Sequence, residues 1–268
     1  MKSGIIIREI REEDRKDIEE ISNIIWGGED YLSSVFDSWL KDKNFYAIEV
    51  DGKVIGTGKI SILPGKVGWM EGLRVHPNYQ GRGLGKEMHM FLLKRGEELK
   101  NKGIVDFLEF ATESDNNRSI NLGLKTGFSV VKKYYGFSYI PKKSGERPQL
   151  SRLEDIESLE YEDHIPCAWK FVRKVPDSLE FLNKRCQIYE FRGIKFLVTG
   201  KEELIVTPAS LEPQKIEKIK PALNYLGRDR SVYMVIPEDS KLEDFLALGF
   251  RKWGDNSEPE ILLLRKKL

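Results

Sequence analysis

The chain has 268 residues, and its 44 lysines and arginines nearly balance its 43 aspartates and glutamates. Such a balance leaves no broad basic surface for nucleic acid or for an anionic membrane. The sequence contains no run of about 18 apolar residues, and its N-terminus lacks the long apolar core of a signal peptide. We therefore expect a cytoplasmic protein that binds neither nucleic acid nor membrane, with a length that favours two domains. Its oligomeric state stays open.

Cysteine and histidine are rare in this sequence. Cys167 and Cys186 are the only cysteines, and three histidines occur in the whole chain. Two cysteines are too few for a disulfide framework, and they do not have the spacing of metal ligands. We expect two reduced structural thiols and no bound metal.

The N-terminal part of the sequence alternates between strand and helix patterns. Residues 4–10 are typical of a strand, and the apolar residues after them recur at helical spacing in two helices separated by glycines 27–28. The second helix is predicted to end near Lys43. Two strands follow, joined at residues 51–52 by Asp-Gly, which is a strong signal for a β-hairpin.

Residues 69–88 pass from an apolar strand through a glycine-rich loop into a helix predicted over residues 83–102. Three glycines within five residues let the backbone turn its N–H groups toward one point. The start of the helix adds unpaired amides and the positive end of its dipole, and such a structure binds a pyrophosphate. The loop matches neither G-x-x-x-x-G-K-[ST] nor the dinucleotide fingerprint G-x-G-x-x-G.

After this helix the pattern predicts a further strand, a capped helix that ends at Gly127, and a strand that begins near Phe128. The predicted element order is therefore β-α-α-β-β-β-α-β-α-β. This order and the glycine loop together resemble the GNAT acetyltransferase superfamily, whose acetyl-CoA loop reads [QR]-x-x-G-x-[GA]. Gln80, Gly83 and Gly85 stand at its defining positions.

A second motif strengthens the resemblance. The pattern N-x-x-[AS]-x-x-x-x-x-x-x-G-F runs from Asn116 to Phe128. The resemblance implies an α/β (α+β) fold of the GNAT acyl-CoA N-acyltransferase type, with a central mixed twisted sheet flanked by helices. It also implies acetyl-CoA as co-substrate.

The resemblance further implies that acetyl-CoA contacts the backbone of the central strand. An N–H at Leu73 or Arg74 would meet the thioester oxygen as it gains negative charge, and Val75 would hydrogen-bond the pantetheine arm as an added strand does. The phosphates would lie against the loop, whose candidate residues are Gln80, Gly81, Arg82, Gly83, Leu84, Gly85 and Lys86. Asn116 would bind the pantetheine amide or serve only as a helix cap.

An amine must lose a proton before it attacks a thioester, because amino groups are largely charged at neutral pH. Glu71, on the central strand, resembles the carboxylate that polyamine acetyltransferases use for this step. Alternatively, it is a structural carboxylate paired with Arg74 or with a lysine. Many GNAT enzymes protonate the departing thiolate with a tyrosine, but Gly123 stands at that position here. Tyr134, Tyr135 or water is left for the role.

Asp30 and Tyr31 fall where this fold contacts its acceptor, and a carboxylate there would hold an ammonium group. An aspartate after two glycines is also an ordinary helix cap. Within the superfamily the sequence is similar to histidine N-acetyltransferase and its relatives in G-G-E-D-Y-L with a following S-W-L, in E-G-L-R-V and in the glycine loop. Ser33 stands where that family often has proline after D-Y-L. The likeness implies a small-molecule amine, expected to be an amino acid, as acceptor.

Residues 141–150, a polar and proline-flanked stretch, form the predicted linker between a GNAT N-acetyltransferase domain, residues 1–140, and a C-terminal domain, residues 151–268. The ending of the second domain resembles that of the first, which suggests a smaller, degenerate GNAT-like α/β domain. Its strand E-E-L-I-V is followed by T-P-A-S-L-E-P, which has no glycine and two prolines without N–H groups. We therefore expect no CoA site in this domain.

These observations predict an N-acetyltransferase that transfers acetyl from acetyl-CoA to the primary amine of a small molecule, by direct attack in a ternary complex. Two other functions stay open, namely acetylation of protein N-termini and a non-catalytic acetyl-CoA-binding sensor or scaffold. Glu71 and the complete phosphate loop favour the enzyme, whereas the missing tyrosine at Gly123 favours the sensor.

Overall fold

The computed structural model of the protein describes residues 4–28, 30–200, 203–228, 230–254 and 257–268. Contacts within the chain divide it into two compact units, Met1–Phe110 with Lys266–Leu268, and Ala111–Arg265. None of the helices in the described ranges has the length and apolar character needed to cross a bilayer. The predicted linker at residues 141–150 lies within the second unit, as an irregular segment that ends in a very short strand.

The first unit builds a mixed sheet from alternating strands and helices. Its elements are β1 (Ile5–Glu9), α1 (Arg15–Ile24), α2 (Leu32–Asp42), β2 (Phe45–Val50), β3 (Lys53–Leu63), β4 (Val67–Val75), α3 (Leu84–Asn101) and β5 (Phe107–Glu113), which continues into the second unit. The strands follow the order β1-β2-β3-β4-β5. Neighbours are antiparallel except that β5 runs parallel to β4.

The second unit also combines a mixed sheet with helices. Its elements are α4 (Asn117–Lys125), β6 (Ser129–Tyr139), β7 (Gln149–Leu150), β8 (His164–Cys167), β9 (Lys170–Arg173), α5 (Ser178–Arg185), β10 (Gln187–Phe191), β11 (Ile194–Thr199), β12 (Leu204–Pro208), α6 (Pro213–Leu226), β13 (Val232–Pro237), α7 (Leu242–Ala247), β14 (Arg251–Lys252) and β15 (Ile261–Lys267). Its strands follow the order β15-β6-β13-β12-β11-β10-β7, with β14 paired to β6 and β8–β9 as a separate hairpin. The predicted order from β1 to β6 and the mixed sheet flanked by helices are confirmed.

The same topology occurs in both units. In the first, β2, β3 and β4 form an antiparallel meander, and α3 then leads to β5, which lies parallel to β4. In the second, β10, β11 and β12 form the meander, and α6 leads to β13, which lies parallel to β12. The helix between parallel strands is the crossover that such a pair requires.

Helices cover both faces of the first sheet. On one face α3 packs closely because two positions of the interface lack side chains. A Cβ on Gly58 would lie 2.7 Å from Met88 Cγ, and one on Gly96 would lie 2.6 Å from Leu108 Cδ1. On the opposite face α1 and α2 pack an apolar cluster that includes Ile18, Ile21, Leu32, Phe36, Trp39, Phe45, Ala47 and Val54. β4 lies between these layers, and the chain continues from its end to the N-terminus of α3.

Candidate active site

A β-bulge in β4 shapes the centre of the first unit. The register between β3 and β4 shifts between Thr57 and Lys59, so that β4 accommodates an extra residue. Within the bulge Gly72 has φ +66°, and a Cβ there would lie 2.5 Å from Trp39 Cζ3. Thr57 Oγ1 donates a hydrogen bond of 2.6 Å to the Gly72 carbonyl. Backbone conformation and space therefore both require glycine at this position.

Beyond this point β4 leaves its parallel neighbour. The ladder between the two strands runs from Val67, paired with Phe107, to Trp69, paired with Glu109, and the described residues form no further pair between them. β4 nevertheless continues to Val75. The part of β4 beyond Trp69 therefore lies outside the ladder with β5, and an extended ligand arm would bind there as an added strand does.

The glycine loop after β4 leads directly into α3. Gly81 and Gly83 have φ values of +75° and +84°, and a Cβ on either would have no heavy atom within 4 Å. α3 begins at Leu84 without a side-chain cap, and Glu87 N–H donates to Gly83 O at 3.0 Å in its first turn. The amides that precede this bond lie at the positive end of the helix dipole, an arrangement that favours a bound anion.

Polar side chains flank the loop. Gln80 Nε2 donates to Val75 O at 3.0 Å, which ties the loop to the end of β4. The Arg82 guanidinium lies 5.0 Å from the centroid of the Tyr79 ring, and Lys86 is exposed in the first turn of α3. Both cationic side chains belong to the segment that joins the glycine loop to α3.

Glu71 lies on β4 just before the bulge and is half-buried. Ser61 of β3 donates a short hydrogen bond to Glu71 Oε1. Lys59, which is fully buried and pairs in register with Glu71, donates from Nζ to Lys43 O at 2.7 Å. Sequence reasoning missed Ser61 and Lys59. The available signal was a set of polar residues at alternate positions 57, 59 and 61, which share one face of a strand.

Asp30 forms a bidentate ion pair with Arg74 of the central strand. Its side chain has no exposed surface, and its oxygens lie 3.1 Å from Arg74 Nε and 3.3 Å from Nη2. The N-cap of α2 is Tyr31, and no side chain caps the helix. The helix-cap interpretation of Asp30 is therefore wrong, because its carboxylate is directed to Arg74 instead. Arg74 thus has Asp30 as a carboxylate partner, in a pairing that the sequence did not suggest.

Tyr31 stands beside these charged groups. Desolvation raises the pKa of its hydroxyl to about 12, with the Arg74 cation opposing the shift and the charges of Glu71 and Asp30 adding to it. Its ring meets Trp39 edge-on, with centroids 5.9 Å apart. The structure therefore brings the predicted base and the predicted acceptor residues into one neighbourhood of the first unit.

Asn116 caps α4 in the second unit. Its Oδ1 accepts a hydrogen bond from Ser119 N–H at 3.2 Å, and its Nδ2 donates to Thr112 Oγ1 at 3.0 Å. The predicted helix cap is confirmed, while the contact with the pantetheine amide stays a prediction. Gly123 lies buried further along the same helix.

The tyrosines considered as general acids lie next to each other on β6. Tyr134 is 1% exposed, and its ring centroid lies 4.3 Å from that of Phe171. The Tyr135 ring lies 5.6 Å from Lys252 Nζ, and desolvation raises the pKa of its hydroxyl. Tyr134 in particular packs in the interior, as aromatic residues of a strand often do.

The strand, glycine loop and helix carry the motif through which the sequence resembles the GNAT acetyltransferases. Residues 7–128 match the sequence model of the family described as "Acetyltransferase (GNAT) family". Over these residues, which are fewer than half of the chain, the match is to a GNAT acetyltransferase family domain, and this family uses acetyl-CoA as co-substrate.

Individual relatives agree with this family. Histidine N-acetyltransferases from Xenopus tropicalis and Oreochromis niloticus are each 36% identical to the chain over 86 residues, which are 31% of this chain and 26% of each relative. The match thus spans about a quarter of the relatives' length.

Solved structures share the fold over nearly the whole chain. One is a Pyrococcus horikoshii protein assigned as an acetyltransferase, with a TM-score of 0.68 and 20% identity, covering 100% of this chain and 91% of that one. Another is a GCN5-related N-acetyltransferase from Sphaerobacter thermophilus, with a TM-score of 0.64 and 12% identity, covering 100% of this chain and 96% of that one. At such identities the likeness shows the fold alone.

Proposed function

We propose that the protein is an N-acetyltransferase that transfers the acetyl group of acetyl-CoA to the primary amine of a small molecule, by direct attack in a ternary complex. The observation that carries the proposal is the continuity of the bulged β4, the glycine loop and the N-terminus of α3 within one unit. They offer an edge for an extended arm and, next to it, an anion site. Acetyl-CoA has a pantetheine arm and a pyrophosphate in that order.

In this proposal acetyl-CoA lies along β4. The N–H groups of residues 81–86 bind its phosphates, and the backbone of Val75 pairs with the pantetheine arm. The thioester oxygen becomes negatively charged in the tetrahedral intermediate, and the N–H of Leu73 or Arg74 stabilises it there. The bulge at Gly72 supports this role. It interrupts the regular alternation of backbone directions along β4 next to those N–H groups.

Glu71 is the proposed general base. It takes a proton from the ammonium group of the acceptor, and the neutral nitrogen then attacks the thioester carbon. A C–N bond forms, the C–S bond breaks, and the second proton of the nitrogen passes to water. Support comes from the position of Glu71 beside the bulge and from the hydrogen bond of Ser61, which fixes one carboxylate oxygen.

Water is the proposed proton donor for the departing thiolate. Gly123 stands where many family members have a tyrosine, and the CoA thiol has a pKa of roughly 8.5, so the thiolate is an adequate leaving group. The burial of Tyr134 supports this choice.

An amino acid is the acceptor that we propose, on the strength of the likeness to histidine N-acetyltransferases. Tyr31 keeps its proton at neutral pH and so offers the acceptor a neutral hydrogen-bonding group next to Glu71. Asp30 acts indirectly, because its carboxylate holds Arg74, whose guanidinium lies 5.3 Å from the centroid of the Tyr31 ring.

We also propose that residues 151–268 are a degenerate GNAT-like domain without a CoA site, joined through the linker at residues 141–150. The repeated topology of β10 to β13 supports the relationship. The segment between β12 and α6 lacks glycine, and the prolines at its ends, Pro208 and Pro213, have no N–H to offer a phosphate.

A panel of amines assayed for CoA release tests the proposed function. It contains free amino acids including histidine, polyamines, and peptides with unblocked N-termini. We expect release with a free amino acid and a strong reduction in Glu71→Gln. Release with peptides alone would contradict a small-molecule acceptor. Acetyl-CoA binding without release for any amine would instead support the sensor function that Gly123 favours.

A further inference from the structure

The two cysteines of the chain lie side by side in the second unit. Cys167 is the last residue of β8, and Cys186 follows the end of α5. Their sulfur atoms are 3.3 Å apart. Both residues are partly exposed. No other cysteine occurs in the sequence, so each thiol has a single partner within the chain.

The surroundings make the two thiols chemically unequal. The hydrogen bond from Cys186 lowers the pKa of the Cys167 thiol against the opposing effect of burial, and the positive charges of Lys170 and Arg185 add to the lowering. The same hydrogen bond raises the pKa of Cys186, and burial adds to that shift. Since the thiolate is the nucleophile in disulfide exchange, Cys167 is the residue that attacks first.

We propose that Cys167 and Cys186 are a redox modification site, at which a low-molecular-weight disulfide such as oxidised glutathione converts the two thiols into an intramolecular disulfide. The Cys167 thiolate attacks one sulfur of oxidised glutathione, forms a mixed disulfide and releases one glutathione thiolate. Cys186, after losing its proton to water, attacks the Cys167 sulfur and releases the second. The cysteines thereby lose two electrons, and these reduce the glutathione disulfide to two thiols.

The geometry supports this reaction. A disulfide has an S–S bond of about 2.0 Å, so the sulfurs at 3.3 Å need only a small approach. Both cysteines border the apolar cluster that contains Ile165 and Leu182, which holds the β8–β9 hairpin and α5 together in the reduced protein. The bond would join covalently two segments that already pack on each other. The sequence predicted two reduced structural thiols. In this proposal the same pair also has a second state, the intramolecular disulfide.

Thiol trapping on the full chain tests the proposal. The folded protein is incubated with oxidised glutathione, and the remaining thiols are alkylated after denaturation and located by mass spectrometry of peptides. We expect a cross-linked peptide pair containing Cys167 and Cys186, minus two hydrogens, and its disappearance after a reductant. In Cys186→Ser we expect a mixed disulfide of Cys167 with glutathione, whereas Cys167→Ser should leave Cys186 at least tenfold less reacted.

Several outcomes would overturn the proposal. Folded wild-type protein that keeps both thiols, while its denatured form is oxidised under the same conditions, would show that the site does not form a disulfide. A disulfide between two chains in place of the intramolecular one would contradict the pairing. Faster glutathionylation of Cys186 in Cys167→Ser than of Cys167 in Cys186→Ser would reverse the assigned order of attack. The wild-type result stands even if a variant fails to fold.

Discussion

Asp30 and Arg74 form an ion pair from which water is largely excluded, between residues 44 positions apart. We expect Asp30→Asn to lower the free energy of unfolding by about 3 kcal/mol, because it leaves a largely buried guanidinium beside a neutral amide. Chemical denaturation measures this change. The matched control is Asp37→Asn, which breaks the exposed pair with Arg15 and should leave stability nearly unchanged.

The same variant separates two roles of Asp30. If its carboxylate held the ammonium group of the acceptor directly, Asp30→Asn would raise KM for the amine without a loss of stability. That result would contradict the orienting role proposed here. The sequence placed Asp30 near the acceptor through a family resemblance, but it could not show the pair with Arg74, because local patterns do not reveal which distant charges meet.

Glu71→Gln tests the proposed base. We expect kcat at pH 7 to fall by about 10²- to 10⁴-fold while the dissociation constant of acetyl-CoA stays unchanged, because the base acts on the acceptor. The rate of the variant should rise with pH as the neutral fraction of the amine grows. Steady-state kinetics and calorimetry measure the two quantities.

Glu97→Gln is the control for this experiment, since Glu97 is exposed on α3 and the change in charge is the same. It should behave as the wild type. A Glu71→Gln protein with the wild-type rate and pH profile would show that Glu71 has a structural role only.

At the scale of the element, α3 carries a buried histidine. Burial lowers the pKa of His89 from 6.5 to about 4, so the unfolded chain binds a proton at a higher pH than the folded chain. The stability that this difference provides is present above pH 6.5 and is lost as the pH falls toward 4, by about 3 kcal/mol in total.

Denaturation of wild type and His89→Leu at pH 7 and at pH 4.5 measures this effect. We expect the variant to lose less stability on acidification, because it lacks the histidine that the unfolded chain protonates. The carboxylates titrate in both proteins alike, so the difference between the two isolates His89. An equal loss in both proteins would refute the assignment.

A second prediction for a single element follows from the bulge in β4. Gly72→Ala and Gly52→Ala both place a Cβ at positive φ, which costs about 1–2 kcal/mol. Only the first adds a clash with Trp39, since a Cβ on Gly52 has no heavy atom within 4 Å. Gly72→Ala should therefore have the lower melting temperature and should weaken acetyl-CoA binding. Equal stability and unimpaired binding would show that the bulge tolerates a side chain.

Local signals predicted the elements of the first unit because they are contiguous in sequence. Asp-Gly at residues 51–52 predicted the hairpin, and Asp51 and Gly52 have φ values of 50° and 80°. The bulge was not predicted, because it depends on the fit of Gly72 against a ring of α2. The short strands β7 to β11 were not predicted either, since such strands depend on pairing with neighbours more than on their own residues.

At the scale of the whole molecule, one topology occurs twice with different loops. The first unit has glycines between β4 and α3, whereas the second has a proline at each end of the segment between β12 and α6. This difference was visible in the sequence because each loop is a single stretch of residues. The surroundings of Glu71 were not, because Ser61 and Tyr31 lie on two other segments of the chain.

Calorimetric titration with acetyl-CoA tests the central claim, that the loop between β4 and α3 is the cofactor site. We expect one site per chain and no detectable binding in Gly83→Pro, because proline cannot adopt the φ of +84° found there. Gly103→Pro, at the opposite end of α3 with φ +70°, is the matched control and should retain binding. Circular dichroism verifies that both variants are folded. Two sites per chain, or undiminished binding in folded Gly83→Pro, would contradict the account.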